Sequence, residues 1–244
     1  MHYIIGDVHG HFETLKALVA ELPTEAKLVF VGDLVDRGKQ SAQVVQFVKE
    51  GGHLCVMGNH EEAMCFYGFN IIQAYENDAP LPLHNIWFSN GGIATLLSYG
   101  LVQLKEGKPA KVENYHDALK AFKEDIAWME KLPLYIELPL VAQNGKPVVI
   151  SHAPMGVAWS MRHMDAMYST FFRMATSSRR EPDCDTKIFN IFGHTPVQMG
   201  VKVREHFVNV DTGCYIEEED GFGMGRLSAY CVETGEVISV ERIE

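Results

Sequence analysis

Short apolar runs rich in β-branched and aromatic side chains recur along the chain: Tyr3-Ile4-Ile5, Leu28-Val29-Phe30-Val31, Leu54-Cys55-Val56-Met57, Val148-Val149-Ile150 and Ile188-Phe189-Asn190-Ile191-Phe192. Each is too short for a helix and runs into Gly or a polar residue, which predicts buried strands. Between the first three runs the spacing becomes helical. Phe12, Leu15, Leu18, Val19 and Leu22 fall on one helix face that Pro23 ends. Ser41 is placed to cap a second helix carrying Val44, Val45, Phe47 and Val48, with Gly51-Gly52 as its stop. Strand, helix, strand, helix, strand over residues 3–57 predicts parallel βαβ units, in which ligand sites fall at the carboxyl ends of the strands.

The pattern changes toward the C-terminus. Phe207–Val210, Leu227–Val232 and Val237–Val240 predict strands joined by turns, with a hairpin at Thr234-Gly235. Asn144-Gly145 predicts another, between Tyr135–Ala142 and Lys146–Ile150. Mixed sheets with helices outside are expected. Residues 62–132 hold helical stretches, including Tyr115–Glu130, and predict a cap beside the site within a single domain, 1–244. Met155–Thr186 is rich in Met, Arg and Ser and poor in strand signal, and its five methionines read as core or loop packing.

Composition narrows the function classes. At 244 residues and 47% hydrophobic content, the chain can bury one large core. Its apolar stretches fall far short of the roughly 20 residues of a membrane helix, so neither a signal peptide nor a membrane span is expected. A formal charge of −11 argues against a nucleic-acid backbone as partner, because phosphate chains need a basic surface. Five cysteines without a C-x-x-C pair suggest neither a disulfide framework nor a structural zinc site, and a reducing cytoplasm is the simplest expectation.

Four strings placed after these apolar runs end in metal-liking side chains: Gly6-Asp7-Val8-His9-Gly10, Gly32-Asp33-Leu34-Val35-Asp36-Arg37-Gly38, Gly58-Asn59-His60-Glu61 and Gly193-His194-Thr195. Singly, each is ordinary turn chemistry. Together they deliver ligands from separate strand ends to one place, as a two-metal site requires. Asp7 and His9 can turn toward one ion, Asp33 is the natural bridge, and Asn59 adds an amide oxygen without charge. His152 and His194, each following an apolar run, add two imidazoles and bring the protein ligands to six. Arg37 offers a planar fork for phosphate oxygens. His60 follows the ligand Asn59, points elsewhere, and is the candidate general acid. Asp36 can hold it protonated, the alternative being a third imidazole on the same metal.

In this order, Asp-x-His-Gly, Gly-Asp-x-Val-Asp-Arg-Gly, Gly-Asn-His-Glu, a strand followed by His, and Gly-His-Thr resemble the phosphoprotein phosphatase family of metallophosphoesterases. Asn90-Gly91-Gly92, Leu132-Pro133-Leu134, Phe192–Pro196 and Asp211-Thr212-Gly213 are similar to strings of its compact bacterial and bacteriophage serine/threonine phosphatases. The resemblance spans nearly the whole chain. It implies an α/β calcineurin-like metallophosphoesterase fold, a central pair of mixed β-sheets flanked by helices (α/β/β/α). It assigns Asp7, His9 and Asp33 to the first metal and Asp33, Asn59, His152 and His194 to the second. His60 protonates the leaving group with support from Asp36, and Arg37 and a later arginine bind phosphate. For that arginine Arg173, after Phe171-Phe172, is preferred to Arg162, Arg179 or Arg180. Manganese is the ion implied, with iron or zinc as alternatives.

The expected reaction is hydrolysis of a phosphomonoester on a phosphoprotein or phosphopeptide, by direct attack of water activated on the metal pair, in a cytoplasmic monomer without nucleic-acid or membrane partners. A related group that cleaves dinucleoside tetraphosphates is the alternative. That group typically has Ala where this chain has Asp36 and Asp where it has Glu61, so the motifs favour the protein phosphatase. A non-catalytic binding scaffold is a third reading, which the full ligand set disfavours. Cys55 and Cys65 lie in no phosphate-cradling loop and are not read as nucleophiles.

Overall fold

Alternation within the first strands decides the layers. The computed structural model describes residues 1–217 and 223–244. In β1 (His2–Ile5), Tyr3 and Ile5 face one way and Ile4 the other; in β2 (Lys27–Phe30), Leu28 and Phe30 oppose Val29. Successive side chains of a strand point to opposite faces, so a strand buried on both faces reads as a continuous apolar run.

One five-stranded sheet has the order β12-β11-β1-β2-β3, with β3 at Leu54–Cys55, β11 at Arg226–Cys231 and β12 at Val237–Glu241. Its β1, β2 and β3 are parallel, and β11 and β12 join as antiparallel strands through the Thr234-Gly235 turn. The second sheet has the order β6-β7-β8-β10-β9, built from β6 (Tyr135–Val141), β7 (Pro147–Ser151), β8 (Phe189–Phe192), β9 (Lys202–Val203) and β10 (Phe207–Asn209). Ile4, Val29 and Val31 of the first sheet pack against Val148, Ile150, Ile191 and Val208 of the second. The outer face of the first sheet takes α1 (Phe12–Glu21) and α2 (Ser41–Glu50); that of the second takes α7 (Tyr168–Ser177) through Phe171 and Ala175. This is the expected pair of mixed sheets between helical layers.

The cap region differs from expectation in two respects. Besides α3 (Asn59–Glu76), α4 (Ile86–Ser89), α5 (Gly92–Ser98) and α6 (His116–Met129), it holds a hairpin of β4 (Val102–Lys105) and β5 (Lys108–Lys111). Its turn, Glu106-Gly107, has both residues at positive φ and lacks the Asn-Gly or Asp-Gly signal that marks such turns. The cap is also continuous with the core: Met64, Ile71, Trp87, Leu96, Phe122 and Ile126 share one buried cluster with Tyr3, Ile5 and Phe30. Full burial of one such side chain contributes roughly 1.5–3 kcal/mol. Ser41 departs from its expected role too. It is the first residue of α2 and caps nothing; its Oγ accepts the Asp36 backbone N–H at 3.1 Å.

Candidate active site

Six strand-to-loop junctions converge at one end of the paired sheets. Asp7 and His9 follow β1, Asp33 and Asp36 follow β2, and Asn59 and His60 open α3 just after β3. His152 follows β7, His194 follows β8, and Asp211 follows β10. The backbone is bent sharply where the side chains must turn inward: His9, Asp33, Asp36, Arg37 and His194 all have φ between 48° and 73°. Such left-handed conformations in non-glycine residues persist only where surrounding structure over-determines them. Gly58 shows the closeness of approach, because a Cβ there would run into the Asp33 carboxylate and backbone.

On one side, four donor atoms face each other. His152 Nε2 lies 3.0 Å from Asn59 Oδ1, 3.1 Å from His194 Nδ1 and 3.4 Å from Asp33 Oδ1, and His194 Nδ1 lies 2.9 Å from Asn59 Oδ1. His152 Nδ1 donates to the Val31 carbonyl at 2.8 Å, which places its proton there and leaves Nε2 with a lone pair. These four atoms thus converge on one point, an arrangement that favours a cation among them. Donors about 2.0–2.2 Å from a common ion stand about 3.0–3.5 Å apart, the spacing seen.

On the other side, His9 Nδ1 donates to the Val35 carbonyl at 2.9 Å, so its Nε2 lone pair points inward, 3.6 Å from Asp33 Oδ2. Asp33 is shared by both donor groups, His9–Asp33–His60 and Asp33–His152–His194, as a bridging carboxylate must be. The residues fit a pair of divalent ions. Arg37 Nη1 donates to His9 Nε2 at 2.8 Å, so the guanidinium and an ion compete for that lone pair.

Electrostatics agree with this donor set. Burial works against a charged Asp33, but His152, His60 and His9 and the His60 backbone N–H more than offset it and hold its pKa below the usual carboxylate range. Burial lowers the pKa of both His9 and His152, which keeps the imidazoles neutral as ligands must be. His194 falls to about 4, through burial first and then His152. Its Nε2 is buried without a hydrogen-bond partner. Asp7 is raised well above its ordinary value by burial, Asp211 and Asp33, while its oxygens accept the His194 backbone N–H. A cluster of carboxylates this acidic and this dry calls for positive charge.

His60 occupies the position between the donor groups and the cap. Its Nδ1 donates to Asp36 Oδ2 at 2.6 Å, and its Nε2 faces the site, 3.9 Å from Asp33 Oδ2 and 3.1 Å from Arg37 Nη2. Burial lowers its pKa, but Asp33 and Asp36 outweigh that and the net shift is upward.

Arg173 lies exposed on α7, and no hydrogen bond or ion pair joins it to the cluster among the described residues. Arg179, just beyond the same helix, is near enough for its charge to lower the pKa of His194.

Three contributors, two of them inside the quoted motifs, have no role in the site on sequence alone. Glu61 is fully buried and accepts N–H bonds from Asp33 at 2.8 Å, Leu34 at 2.7 Å and Gly58 at 3.0 Å, tying the second and third strand-end loops together. Burial raises its pKa to about 7. Asp211, likewise pushed up to about 7 by burial, stands beside Asp7, and a strand-end Asp after Phe207–Val210 was the available signal. Tyr215 lies under the Arg37 guanidinium at 3.6 Å and edge-on to His9 at 4.9 Å, which no local pattern announced.

Residues 3–198 match the calcineurin-like phosphoesterase family. The chain belongs to that family. This phosphoesterase is therefore a hydrolase of the metallophosphoesterase superfamily, with the fold that its motifs implied and side chains suited to the divalent metals the family uses. It is 26% identical to an asymmetrical bis(5'-nucleosyl)-tetraphosphatase of Bacillus velezensis, over 98% of this chain and 91% of that one. Its fold matches a putative diadenosine tetraphosphatase at a TM-score of 0.55 with 22% identity, covering 98% of this chain and 92% of the other. It also matches a protein serine/threonine phosphatase of Saccharomyces cerevisiae at 0.51 with 15% identity, covering 100% and 80%. The end-to-end sequence likeness is to a tetraphosphatase, the alternative to the expected preference for a phosphoprotein substrate. Asp36 and Glu61, on which that preference rested, hold His60 and the Asp33 loop; both tasks belong to the hydrolytic centre and leave the choice of substrate open.

Proposed function

We propose that this phosphoesterase hydrolyses dinucleoside tetraphosphates, and the observation that carries the reading is its end-to-end similarity to a bis(5'-nucleosyl)-tetraphosphatase. Asp7, His9 and Asp33 would hold one divalent ion, and Asp33, Asn59, His152 and His194 the other, with manganese the first ion to test. When bound, such ions supply positive charge to the phosphoryl oxygens and lower the pKa of the attacking water.

The chain's own residues do the rest. Arg37, steadied on the Tyr215 ring, offers two N–H groups to the equatorial oxygens of the phosphoryl group under attack. Arg179, whose charge reaches His194, would add a second positive charge, a role for which Arg173 is the other candidate. Water attacks phosphorus, the P–O–P bond breaks, and His60 gives its Nε2 proton to the departing phosphate oxygen. Asp36, bonded at Nδ1, keeps His60 turned toward that oxygen and favours its protonated form.

A side-by-side assay with manganese on diadenosine tetraphosphate and a phosphoserine peptide tests the reading. The dinucleotide is expected to have the higher kcat/KM, with AMP and ATP as products of asymmetric attack and two ADP of symmetric attack. Preference for the peptide would overturn the proposal and restore the second reading, a phosphoprotein phosphatase, whose motif pattern Asp36 and Glu61 match.

A further inference from the structure

The string Asn90-Gly91-Gly92 and the helices around it have no part in the chemistry above, yet they close over Asp36. The Asp36 carboxylate is fully buried and has three side-chain donors. His60 Nδ1 reaches Oδ2 at 2.6 Å, Thr95 Oγ1 reaches Oδ1 at 2.7 Å, and Trp87 Nε1 lies 3.0 Å from both oxygens. The Asp36 backbone N–H donates to Thr95 Oγ1 at 3.0 Å, so the threonine hydroxyl has its own proton free for the carboxylate. Trp87 and Thr95 come from α4 and α5 of the cap, and both are inaccessible to solvent.

The link between these helices holds the donors in place. The Gly91 carbonyl accepts the Arg37 backbone N–H at 3.4 Å, and any Cβ on Gly91, whose φ is 107°, would strike the Arg37 backbone. Gly92 packs on the Trp87 indole so closely that a Cβ would overlap the ring. The glycine pair lets the cap backbone reach the Asp36-Arg37 loop and seats the indole over the carboxylate.

We propose that Trp87, with Thr95, is a positioning residue for the reaction: its indole N–H fixes the plane of the Asp36 carboxylate and thereby aims His60 Nε2 at the leaving oxygen. A carboxylate held by one histidine alone can rotate about its Cβ–Cγ bond and carry the imidazole with it. Donors from two further directions remove that freedom, and in a buried site an oxygen deprived of its donor has no water to replace it. The inference rests on His60 being the general acid.

The test compares Trp87→Phe with His60→Asn on p-nitrophenyl phosphate, whose leaving group departs without a proton, and phenyl phosphate, whose leaving group needs one. Trp87→Phe should lower kcat for phenyl phosphate about tenfold, part of the roughly 10²–10⁴ of general acid catalysis, and keep p-nitrophenyl phosphate within about twofold, with KM unchanged. Thr95→Val should repeat the pattern and Thr95→Ser, which keeps the hydroxyl, should restore activity. Equal losses on both esters, or none, overturn the inference. Leaving-group dependence missing from His60→Asn as well overturns the acid assignment with it. A readout independent of turnover is the proton between His60 Nδ1 and Asp36, assigned by its loss in His60→Asn from the NMR spectrum of zinc-loaded protein. It should move upfield and exchange faster in Trp87→Phe; an unchanged position and exchange rate overturns the proposal.

Discussion

The strand-end loops and the cap both reach the same site, but by different physics. The loops place Asp7, His9, Asp33, Asn59, His152 and His194 through backbone geometry: short parallel strands, left-handed turns and carbonyl acceptors for His9 and His152. The cap places Trp87 and Thr95 through packing, because α4 and α5 hold their positions by burying apolar surface in the cluster under the first sheet. One region therefore supplies the donors and the other keeps one of the groups between them, Asp36, from moving. The hydrolytic chemistry common to the superfamily needs the first, and its tuning to one leaving group can be altered through the second.

Substitutions can separate the two contributions. The largest effect is expected for Asp33→Asn, which removes the shared carboxylate: metal content measured after gel filtration should fall for both ions and kcat by about 10³-fold or more. Retention of both ions would show that Asp33 is no bridge. His60→Asn should cost about 10²–10⁴ in kcat yet keep the metal content, since His60 is held by Asp36. Loss of an ion in that variant would move His60 into the ligand set.

Smaller effects act on stability. Glu61→Ala leaves three buried N–H groups without an acceptor and should destabilise the fold by about 3 kcal/mol, read as a lower urea midpoint at unchanged slope. An unchanged midpoint would mean that the Asp33 and Gly58 loops need no common anchor. The smallest change tests how the cap is fastened. Lys49 of α2 reaches Asp125 of α6 at 2.7 Å while Tyr99 donates to the other oxygen, and the lysine is one-third exposed. Lys49→Ala should cost about 1 kcal/mol or less and leave kcat unaltered. A kcat that fell with it would show that the cap transmits small shifts to Asp36.

Much of the hydrolytic centre was legible because strand ends leave a local signature. An apolar run, a glycine and a metal-liking side chain occur together in sequence, and the parallel βαβ pattern brings such ends to one edge. Asp7, Asp33 and Asn59 stand at that edge, each just after a strand. Arg173 is less legible: it sits on a helix whose rotation is set by Phe171 and Ala175 packing on the second sheet, and its side chain lies exposed. Trp87 and Thr95 left no trace, since an indole and a threonine in an amphipathic segment look the same whether they face a carboxylate or a core.

The sequence by itself determined the layers, through alternating apolar faces, and the donor set, through residue types fixed at strand ends. Only the tertiary structure decided which buried groups hold which. Glu61 on the Asp33 loop, Asp211 beside Asp7, Tyr215 under Arg37 and Trp87 on Asp36 are contacts between residues 28 to more than 200 positions apart. Such contacts depend on how close two packed elements come, which periodicity along one chain does not encode.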